Sequence, residues 1–219
     1  MDVLLYPHYT VLARRIPRGV TPNQLTTLAG ICGVLACACL VFAHSRAGLF
    51  LSAVLLYLYT AFDSLDGIHA RATGQSSPLG YFYDHFLDSL VLVLLLFSVS
   101  VRFSLLTPFF LLLFLLRVML NAVGFLTREV TGELHLPPLG PVFETICYCV
   151  AFLVLGLWPH SFVLPLPDAT APVVRDFLVR NGLMQWDVLK LFCLLYFAGI
   201  PLALQRQLAE VRTAAASRK

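Results

Sequence analysis

A cluster of acidic residues between two long apolar stretches is the part of this sequence best suited to chemistry. Residues 63–88 read D-S-L-D-G-I-H-A-R-A-T-G-Q-S-S-P-L-G-Y-F-Y-D-H-F-L-D, with carboxylates at Asp63, Asp66, Asp84 and Asp88. Four negative charges held close together repel one another strongly unless cations cancel them. Divalent cations such as Mg²⁺ take oxygen ligands and often keep positions open for substrate phosphates. The cluster therefore predicts two divalent cations, Mg²⁺ or Mn²⁺, beside a phosphate-bearing ligand.

Helical spacing predicts that the four carboxylates meet. Asp63 and Asp66 are three residues apart, and Asp84 and Asp88 are four apart, so each pair shares one face of a helix. The residues between the pairs, T-G-Q-S-S-P at 73–78, are typical of a turn. We therefore expect two antiparallel helices that bring all four carboxylates to one edge of the membrane.

Small and basic residues of the same segment fit a phosphate-bearing ligand. A glycine inside a helix costs about 1 kcal/mol relative to alanine, so Gly67 indicates that something approaches the backbone there. Ala70 and Gly80 are also small, and the Arg71 guanidinium can donate a bidentate pair of hydrogen bonds to phosphate oxygens. His69 is predicted to be solvated or to lie at the edge of the diphosphate. Together these residues predict a narrow slot between two helices.

The composition places this segment in a membrane protein. The chain has 219 residues, of which 59% are hydrophobic and 12% are charged, and its mean hydropathy is +0.84, more than the surface of a water-soluble domain can carry. The net charge of +3 is small, and no basic run is interleaved with aromatic residues, which argues against a nucleic-acid partner. All six cysteines fall in apolar segments without zinc-ligand spacing, so we expect small buried side chains.

Hydropathy predicts an all-α, polytopic membrane protein with six transmembrane helices. The predicted spans are residues 25–43, 48–62, 80–101, 104–126, 139–157 and 187–204, and the second can continue as helix to residue 72. Residues 1–20 predict an uncleaved amphipathic helix in the membrane interface. Residues 205–219 would form a tail, and the connection 159–186 a loop with a short helix. We expect residues 1–219 to form a single membrane domain.

The distribution of basic residues predicts the orientation of the chain. An even number of spans puts both termini on one side, and that side carries more arginine and lysine than the other. Cytoplasmic loops are enriched in these residues, so we expect both termini and the aspartate segment to face the cytoplasm. The membrane would be a bacterial inner membrane or an endomembrane.

The aspartate segment resembles the signature of the CDP-alcohol phosphotransferase family, D-x-x-D-G-x-x-A-R-x8-G-x3-D-x3-D. Every fixed position is matched, by Asp63, Asp66, Gly67, Ala70, Arg71, Gly80, Asp84 and Asp88. Eight specified residues over 26 positions make a specific signal, and the resemblance extends more loosely over residues 22–204.

Residues around the signature are similar to the choline and ethanolamine phosphotransferase branch of that family. They are S-S-P-L-G at 76–80, Asp84-His85, Asp88-Ser89, T-P-N at 21–23 and G-P-V-F-E at 140–144. Two features depart from the branch: Glu144 lies one place later than its pattern has it, and eukaryotic members carry several more spans. The departures bear on the head group and leave the reaction class unchanged.

The resemblance implies roles for individual residues. Asp63, Asp66 and Asp84 would be metal ligands, and Asp88 would complete the metal site and act as the catalytic base. The cytidine diphosphate pocket would be lined by Asn23, Gly67, Ala70, Arg71 and Gly80. The implied reaction moves a phospho-alcohol from a CDP-activated donor to an alcohol and releases CMP, and the family also implies a homodimer.

Four further polar residues keep two interpretations each. His85 could share the base role with Asp88 or orient a carboxylate. Arg117 and Asn121, four apart in the fourth predicted span, could contact a substrate phosphate or head group or form a structural pair. Glu144 could attract the amine of a head group or cap its helix.

The predicted function is a step of phospholipid synthesis, the transfer of phosphoethanolamine or phosphocholine to diacylglycerol. The main alternative is a CDP-diacylglycerol-dependent phosphatidyltransferase whose acceptor is glycerol phosphate, serine or inositol phosphate. Two distant alternatives are an intramembrane prenyltransferase, which would place its aspartate motifs far apart in the chain, and a transporter, for which an inverted repeat would be expected.

Overall fold

The computed structural model describes residues 6–13, 15–131, 141–158, 161–163 and 171–217. The chain is mostly helical, which confirms the predicted all-α class at that level. The helices are α1 (Tyr6–Ala13), α2 (Pro22–Phe42), α3 (Arg46–Thr73), α4 (Pro78–Arg102), α5 (Pro108–Thr131), α6 (Pro141–Leu157), α7 (Pro172–Arg180), α8 (Val188–Ala198) and α9 (Ile200–Ser217). Two short strands that the sequence did not predict, β1 (Phe162–Val163) and β2 (Gln185–Trp186), pair antiparallel.

Five helical segments in the described part of the chain are long and apolar enough to cross a membrane, which supports a multi-pass membrane protein. They are Pro22–Phe42, Arg46–Thr73, Pro78–Arg102, Pro108–Thr127 and Val188–Thr213, the last of which includes α8 and most of α9. The predicted span at 139–157 corresponds to α6, whose 17 residues lie at the lower limit of the roughly 17 to 25 that cross a bilayer. The count of six spans is therefore not confirmed and stays a prediction.

The first helical turn of α2 is fixed by a capping box. Thr21 is the N-cap residue: its side chain accepts a hydrogen bond from the Gln24 amide (3.4 Å), and its own amide donates to the Gln24 side chain (2.9 Å). Pro22 takes the first helical position, where a missing N–H leaves no hydrogen bond unmade. The helix α2 therefore begins at T-P-N, three residues before the span that hydropathy predicted at residue 25.

The helix α3 is uninterrupted and carries the first half of the aspartate segment. It begins after Ser45, whose side chain accepts a hydrogen bond from the Gly48 amide (3.1 Å), and it runs for 28 residues through Asp63 and Asp66. It ends at Gly74, where φ is +71°, a left-handed conformation that glycine adopts at little cost. The prediction that the second span continues as helix through the aspartates is confirmed.

The first of two compact units comprises the described residues within Met1–Arg102 and Pro141–Trp158. In this unit α2 packs against both α3 and α4, and α3 also packs against α1 and α6. Side chains of this unit that are fully buried include Ala36, Leu40, Leu56 and Val99. The helix α2 is therefore a shared packing partner of the two helices that carry the aspartates.

The short helix α1 packs against α3. It contributes to an apolar cluster that consists of Tyr9, Ala13, Leu25, Leu65 and Ile68. Burial raises the pKa of the Tyr9 hydroxyl, and the neighbouring Tyr57 raises it further. A helix is present where the sequence predicted one, but its amphipathic character and interfacial position are not confirmed, and residues 1–5 and 14 lie outside the described part of the chain.

The second compact unit comprises the described residues within Phe103–Gly140 and Pro159–Lys219. Here α5 packs against α9. The helix α7 is the short helix that the sequence predicted in the connection 159–186. Residues 159–160 and 164–170 of this connection lie outside the described part of the chain. The Asn181 side chain links α7 to α5, because it accepts a hydrogen bond from the Phe109 amide (3.1 Å) and donates one to the Phe177 carbonyl (2.8 Å). That residues 1–219 form one domain stays a prediction.

Replacing Gly33 tests the close packing of α2 in the first unit. A Cβ at this position would lie 2.8 Å from both methyl groups of Val91 and 3.4 Å from Tyr59 Cδ2. Because overpacking a core costs about 1–3 kcal/mol, we expect Gly33→Ala to lower the midpoint of thermal unfolding in detergent by several degrees. Gly19→Ala is the control, since nothing lies within 4 Å of a Cβ there. Equal midpoints for the two variants would contradict this packing.

Candidate active site

The helices α3 and α4, with the connection 74–77 between them, form what we call the aspartate hairpin. Carboxylate oxygens of Asp63, Asp66 and Asp84 lie within 4.8 Å of one another, and ligand atoms of Asp84, His85 and Asp88 do the same. Asp84 belongs to both groups. The structure thus brings together the four aspartates that the sequence placed on two helix faces.

The donor atoms of the two groups suit hard divalent cations. Each aspartate offers a carboxylate oxygen, the ligand type that Mg²⁺ and Mn²⁺ prefer, and His85 adds an imidazole nitrogen to one group. Two overlapping groups that share Asp84 are sufficient for two ions. Carboxylates at these distances repel one another, and bound cations would cancel that repulsion. The residues present therefore fit the predicted pair of divalent cations.

Asp66 is held by a hydroxyl group from α2. Thr26 is buried, and its Oγ1 donates a hydrogen bond to Asp66 Oδ2 at 2.5 Å, the length of a charge-assisted O–H···O⁻ bond. The same hydroxyl lies 3.1 Å from the Pro22 carbonyl oxygen, but its single proton favours the closer, charged acceptor. One oxygen of Asp66 is fixed in this way, and the Gly67 backbone amide also donates a hydrogen bond to this carboxylate.

Asp88 is held in a similar manner from α3. The Tyr59 hydroxyl donates a hydrogen bond to Asp88 Oδ1 at 2.7 Å. Tyr59 precedes Asp63 by four residues, so the two side chains leave α3 on the same face. This face of α3 therefore presents one carboxylate of its own and one hydroxyl that reaches α4.

The first turns of α2 also contact α4. The hydroxyl oxygens of Thr27 and Tyr83 lie 3.0 Å apart. A Cβ on Gly80 would lie 3.0 Å from Asn23 Oδ1 and 3.1 Å from Ser77 Oγ, which itself accepts a hydrogen bond from the Gly80 amide. Gly80 must be small because the Asn23 side chain lies against it. The sequence did not indicate this reason for a glycine. The predicted pocket roles of Asn23 and Gly80 stay predictions.

Arg71 lies over Gly67 on the surface of α3. A Cβ on Gly67 would be 3.4 Å from Arg71 Nη1, so the missing side chain lets the guanidinium lie close to the helix one turn earlier. Arg71 is exposed, and Ala70 beside it is half-buried. An exposed guanidinium on the helix that carries Asp66 is accessible to a phosphate group.

The two histidines of the aspartate segment differ in their surroundings. His85 is half-buried, its Nδ1 lies 3.5 Å from Asp84 Oδ2, and its ring meets Tyr81 edge-on with centroids 3.9 Å apart. His69 is only 1% exposed, and its Nε2 lies 2.8 Å from the Val20 carbonyl oxygen. The prediction that His69 is solvated or lies at the diphosphate edge is wrong, because this side chain ties the residues before α2 to α3.

The three predicted head-group residues lie on other helices. Arg117, 3% exposed, and the half-buried Asn121 are on α5 in the second unit. Glu144, also 3% exposed, is in the first turn of α6 in the first unit. All three interact with neighbouring residues. Their burial fits either interpretation, so a substrate role for them stays a prediction.

Sequence reasoning did not identify Thr26 and Tyr59 as partners of the aspartates. A signal existed for Tyr59, since a polar side chain four residues before Asp63 in an apolar span shares its helix face. The signal for Thr26 is weaker, because its partner Asp66 lies 40 residues away in the chain. Only the packing of α2 on α3 brings these two side chains together.

Comparison with known proteins identifies the family. Residues 19–193 match the CDP-alcohol phosphatidyltransferase family, which is well over half of the chain. The chain belongs to this family, and the resemblance seen in the aspartate segment is confirmed.

Similar proteins carry different head-group names. Cholinephosphotransferase 1 of Saccharomyces cerevisiae is 30% identical over 168 residues, which cover 71% of this chain and 42% of that protein. CDP-diacylglycerol–serine O-phosphatidyltransferase of Encephalitozoon cuniculi is 34% identical over 171 residues, 71% of this chain and 44% of that protein. Choline/ethanolaminephosphotransferase 2 of Arabidopsis thaliana is 36% identical over 95 residues, which cover 40% of this chain and 24% of that protein. The matched region spans less than half the length of each of these relatives.

Replacing Thr26 tests its hold on Asp66. Thr26→Val removes the hydroxyl and keeps the shape of the side chain. Because hydrogen bonds behind a metal ligand orient it, we expect the Mn²⁺ affinity of the purified chain in detergent to fall roughly tenfold or more, as measured by electron paramagnetic resonance. Thr26→Ser, which keeps the hydroxyl, should bind Mn²⁺ nearly as well as the wild type.

The matched control for this prediction is Thr27→Val. It removes a neighbouring hydroxyl that donates to the Asn23 carbonyl and lies 3.0 Å from the Tyr83 hydroxyl oxygen. Unchanged Mn²⁺ affinity in Thr26→Val, or an equal loss in Thr27→Val, would show that the Thr26 hydroxyl does not orient Asp66.

Proposed function

We propose that this chain is a metal-dependent phosphotransferase that moves a phospho-alcohol from a CDP-activated donor to a lipid alcohol and releases CMP. The observation that carries the proposal is the aspartate hairpin, in which a complete family signature converges into two groups of ligand atoms, each within 4.8 Å. In its most specific form, the proposal is transfer of phosphoethanolamine or phosphocholine to diacylglycerol in phospholipid synthesis. The relatives named cholinephosphotransferase and choline/ethanolaminephosphotransferase support this form.

The metal ligands in this proposal are the four aspartates of the hairpin. Asp63, Asp66 and Asp84 would hold one cation, and Asp84 and Asp88 would contribute to the second; the grouping of their oxygens supports this division. When bound, two divalent cations, Mg²⁺ or Mn²⁺, would neutralise charge on the diphosphate and on the leaving phosphate.

Asp88 is the proposed catalytic base. Its carboxylate would take the proton from the acceptor hydroxyl, whose oxygen then bonds to the β-phosphorus of the donor. The bond from that phosphorus to the bridging oxygen breaks, and CMP leaves with the electron pair. His85, in the same group of ligand atoms, is the alternative proton acceptor. In either case the protein's contribution is to hold the hydroxyl in line with the phosphorus.

The donor pocket would form around the ends of three helices. The Arg71 guanidinium would donate hydrogen bonds to diphosphate oxygens, for which its exposure is suitable. The remaining proposed lining residues are Asn23, Gly67, Ala70 and Gly80. The contact between Asn23 and Gly80 supports a pocket to which α2 contributes. Arg117, Asn121 and Glu144 are the proposed head-group or substrate contacts.

The proposed membrane arrangement keeps six spans, an interfacial helix within residues 1–20, and a single domain. The apolar helices support a multi-pass membrane protein, and the bias of basic residues supports an active site and termini on the cytoplasmic side. The membrane would be a bacterial inner membrane or an endomembrane. The proposal of a homodimer rests only on the resemblance of this chain to the family.

A second candidate function is phosphatidyl transfer from CDP-diacylglycerol. The relative named CDP-diacylglycerol–serine O-phosphatidyltransferase, which matches 71% of this chain, favours it. In this reaction the lipid is part of the donor, and the acceptor is a small alcohol such as serine, glycerol phosphate or inositol phosphate. The same carboxylates would serve both reactions, because each breaks the same kind of diphosphate bond.

A donor assay tests the proposed function. The purified chain, with Mg²⁺ or Mn²⁺, is given labelled CDP-ethanolamine or CDP-choline with diacylglycerol, or CDP-diacylglycerol with each small acceptor, and CMP release is measured. We expect release from CDP-ethanolamine or CDP-choline. Release from CDP-diacylglycerol alone would favour the second candidate, and no release from any donor would contradict the reaction class.

The base assignment is tested by comparing two variants. Asp88→Asn keeps the size of the side chain but removes the proton acceptor, so we expect kcat at saturating Mn²⁺ to fall about 10² to 10⁴-fold. His85→Gln should lower kcat by much less, because the carboxylate remains. The measurement is CMP release at saturating donor and acceptor. A larger loss in His85→Gln than in Asp88→Asn would move the base role to His85.

A further inference from the structure

Tyr59 joins the two helices of the aspartate hairpin through one hydrogen bond. Its hydroxyl donates to Asp88 Oδ1 at 2.7 Å, the usual length of an O–H···O bond to a charged acceptor. Tyr59 lies outside the family signature, one helical turn before Asp63. A residue that no motif marks therefore contacts the carboxylate that is the proposed base.

The position of the Tyr59 hydroxyl is set by packing on α2. The ring is half-buried, and a Cβ on Gly33 would lie 3.4 Å from its Cδ2, so the ring lies directly against the backbone of α2 at a glycine. A tyrosine has only two side-chain torsions before its hydroxyl. With the backbone fixed in α3 and the ring against α2, the oxygen has little freedom to move.

This geometry restricts Asp88. A hydroxyl has one proton to donate, and here it goes to Oδ1. The carboxylate group is then held at one oxygen, and rotation about its terminal bond, which is otherwise soft, is limited. The Asp63 side chain also lies within hydrogen-bond reach of this carboxylate, and Oδ2 is the oxygen that Tyr59 leaves available to a cation or the acceptor hydroxyl.

We propose that Tyr59 is a positioning residue, whose hydroxyl holds Asp88 Oδ1 so that Oδ2 is directed at the reacting groups. The proposal rests on the proposed function for the identity of the reaction, but not for the contact with Asp88. A purely structural tyrosine would use Asp88 only to satisfy its own buried hydroxyl. The two roles differ in what happens when Asp88 is absent.

The first part of the test is Tyr59→Phe in the full chain, purified in detergent. We expect Mn²⁺ affinity, measured by electron paramagnetic resonance, to fall roughly tenfold, and kcat for CMP release to fall while the KM for the CDP donor changes little. The control is Tyr57→Phe, two residues earlier on α3, where the side chain is 53% exposed. It should leave Mn²⁺ affinity unchanged. Unchanged Mn²⁺ affinity in Tyr59→Phe, at an unchanged thermal midpoint, would overturn the proposal.

The second part places Tyr59→Phe in an Asp88→Ala background. If Tyr59 acts through Asp88, the second substitution should weaken Mn²⁺ binding no further, since residues that act together give non-additive effects. An equal loss in the presence and absence of Asp88 would overturn the proposal and assign Tyr59 a structural role. The Mn²⁺ measurement is independent of turnover, so wild-type chain that binds Mn²⁺ but releases no CMP would contradict the proposed function and leave this test intact.

Discussion

The mutual repulsion of four carboxylates is the constraint on which the first unit depends. Two like charges 4 Å apart interact by about 4 kcal/mol at an effective dielectric constant of about 20, a large share of the net stability of a domain. The oxygens of Asp63, Asp66 and Asp84 lie within 4.8 Å of one another. Bound cations would cancel this charge, and contacts outside the cluster hold the helices together.

Those other contacts come mainly from α2. Near its start, Thr26 donates to Asp66 on α3, and Thr27 contacts Tyr83 on α4. Further along, Gly33 lets Val91 of α4 approach the backbone of α2. A helix that contributes no carboxylate thus sets the spacing between two helices that carry all four. The site is better described as three helices than as a hairpin, and the one α2 residue that the sequence placed at the site was Asn23.

Local spacing explains what the sequence could predict. Residues three or four apart on a helix share a face, and a short turn makes the two helices antiparallel. The convergence of the aspartates could therefore be predicted from residue spacing alone. Contacts between distant residues follow from packing, which spacing does not encode. Thr26 donates a hydrogen bond to Asp66, which is 40 residues away in the chain, and the sequence did not predict this contact. The His69 ring lies against the Val20 carbonyl, 49 residues away, whereas the sequence predicted a solvated side chain or one at the diphosphate. The predicted number of six spans is not confirmed, because α6 has only 17 residues, the minimum length for a span.

Relatives of this chain differ in the transferase activity that their names state. A cholinephosphotransferase and a serine phosphatidyltransferase each match 71% of this chain at similar identity. Overall similarity is therefore shared by both candidate functions, and the choice of head group must depend on particular side chains. We expect these side chains to include residues outside the eight signature positions. Glu144, buried at the start of a helix that packs on α3, stays a predicted head-group contact, because a carboxylate would attract an amine and repel a phosphate.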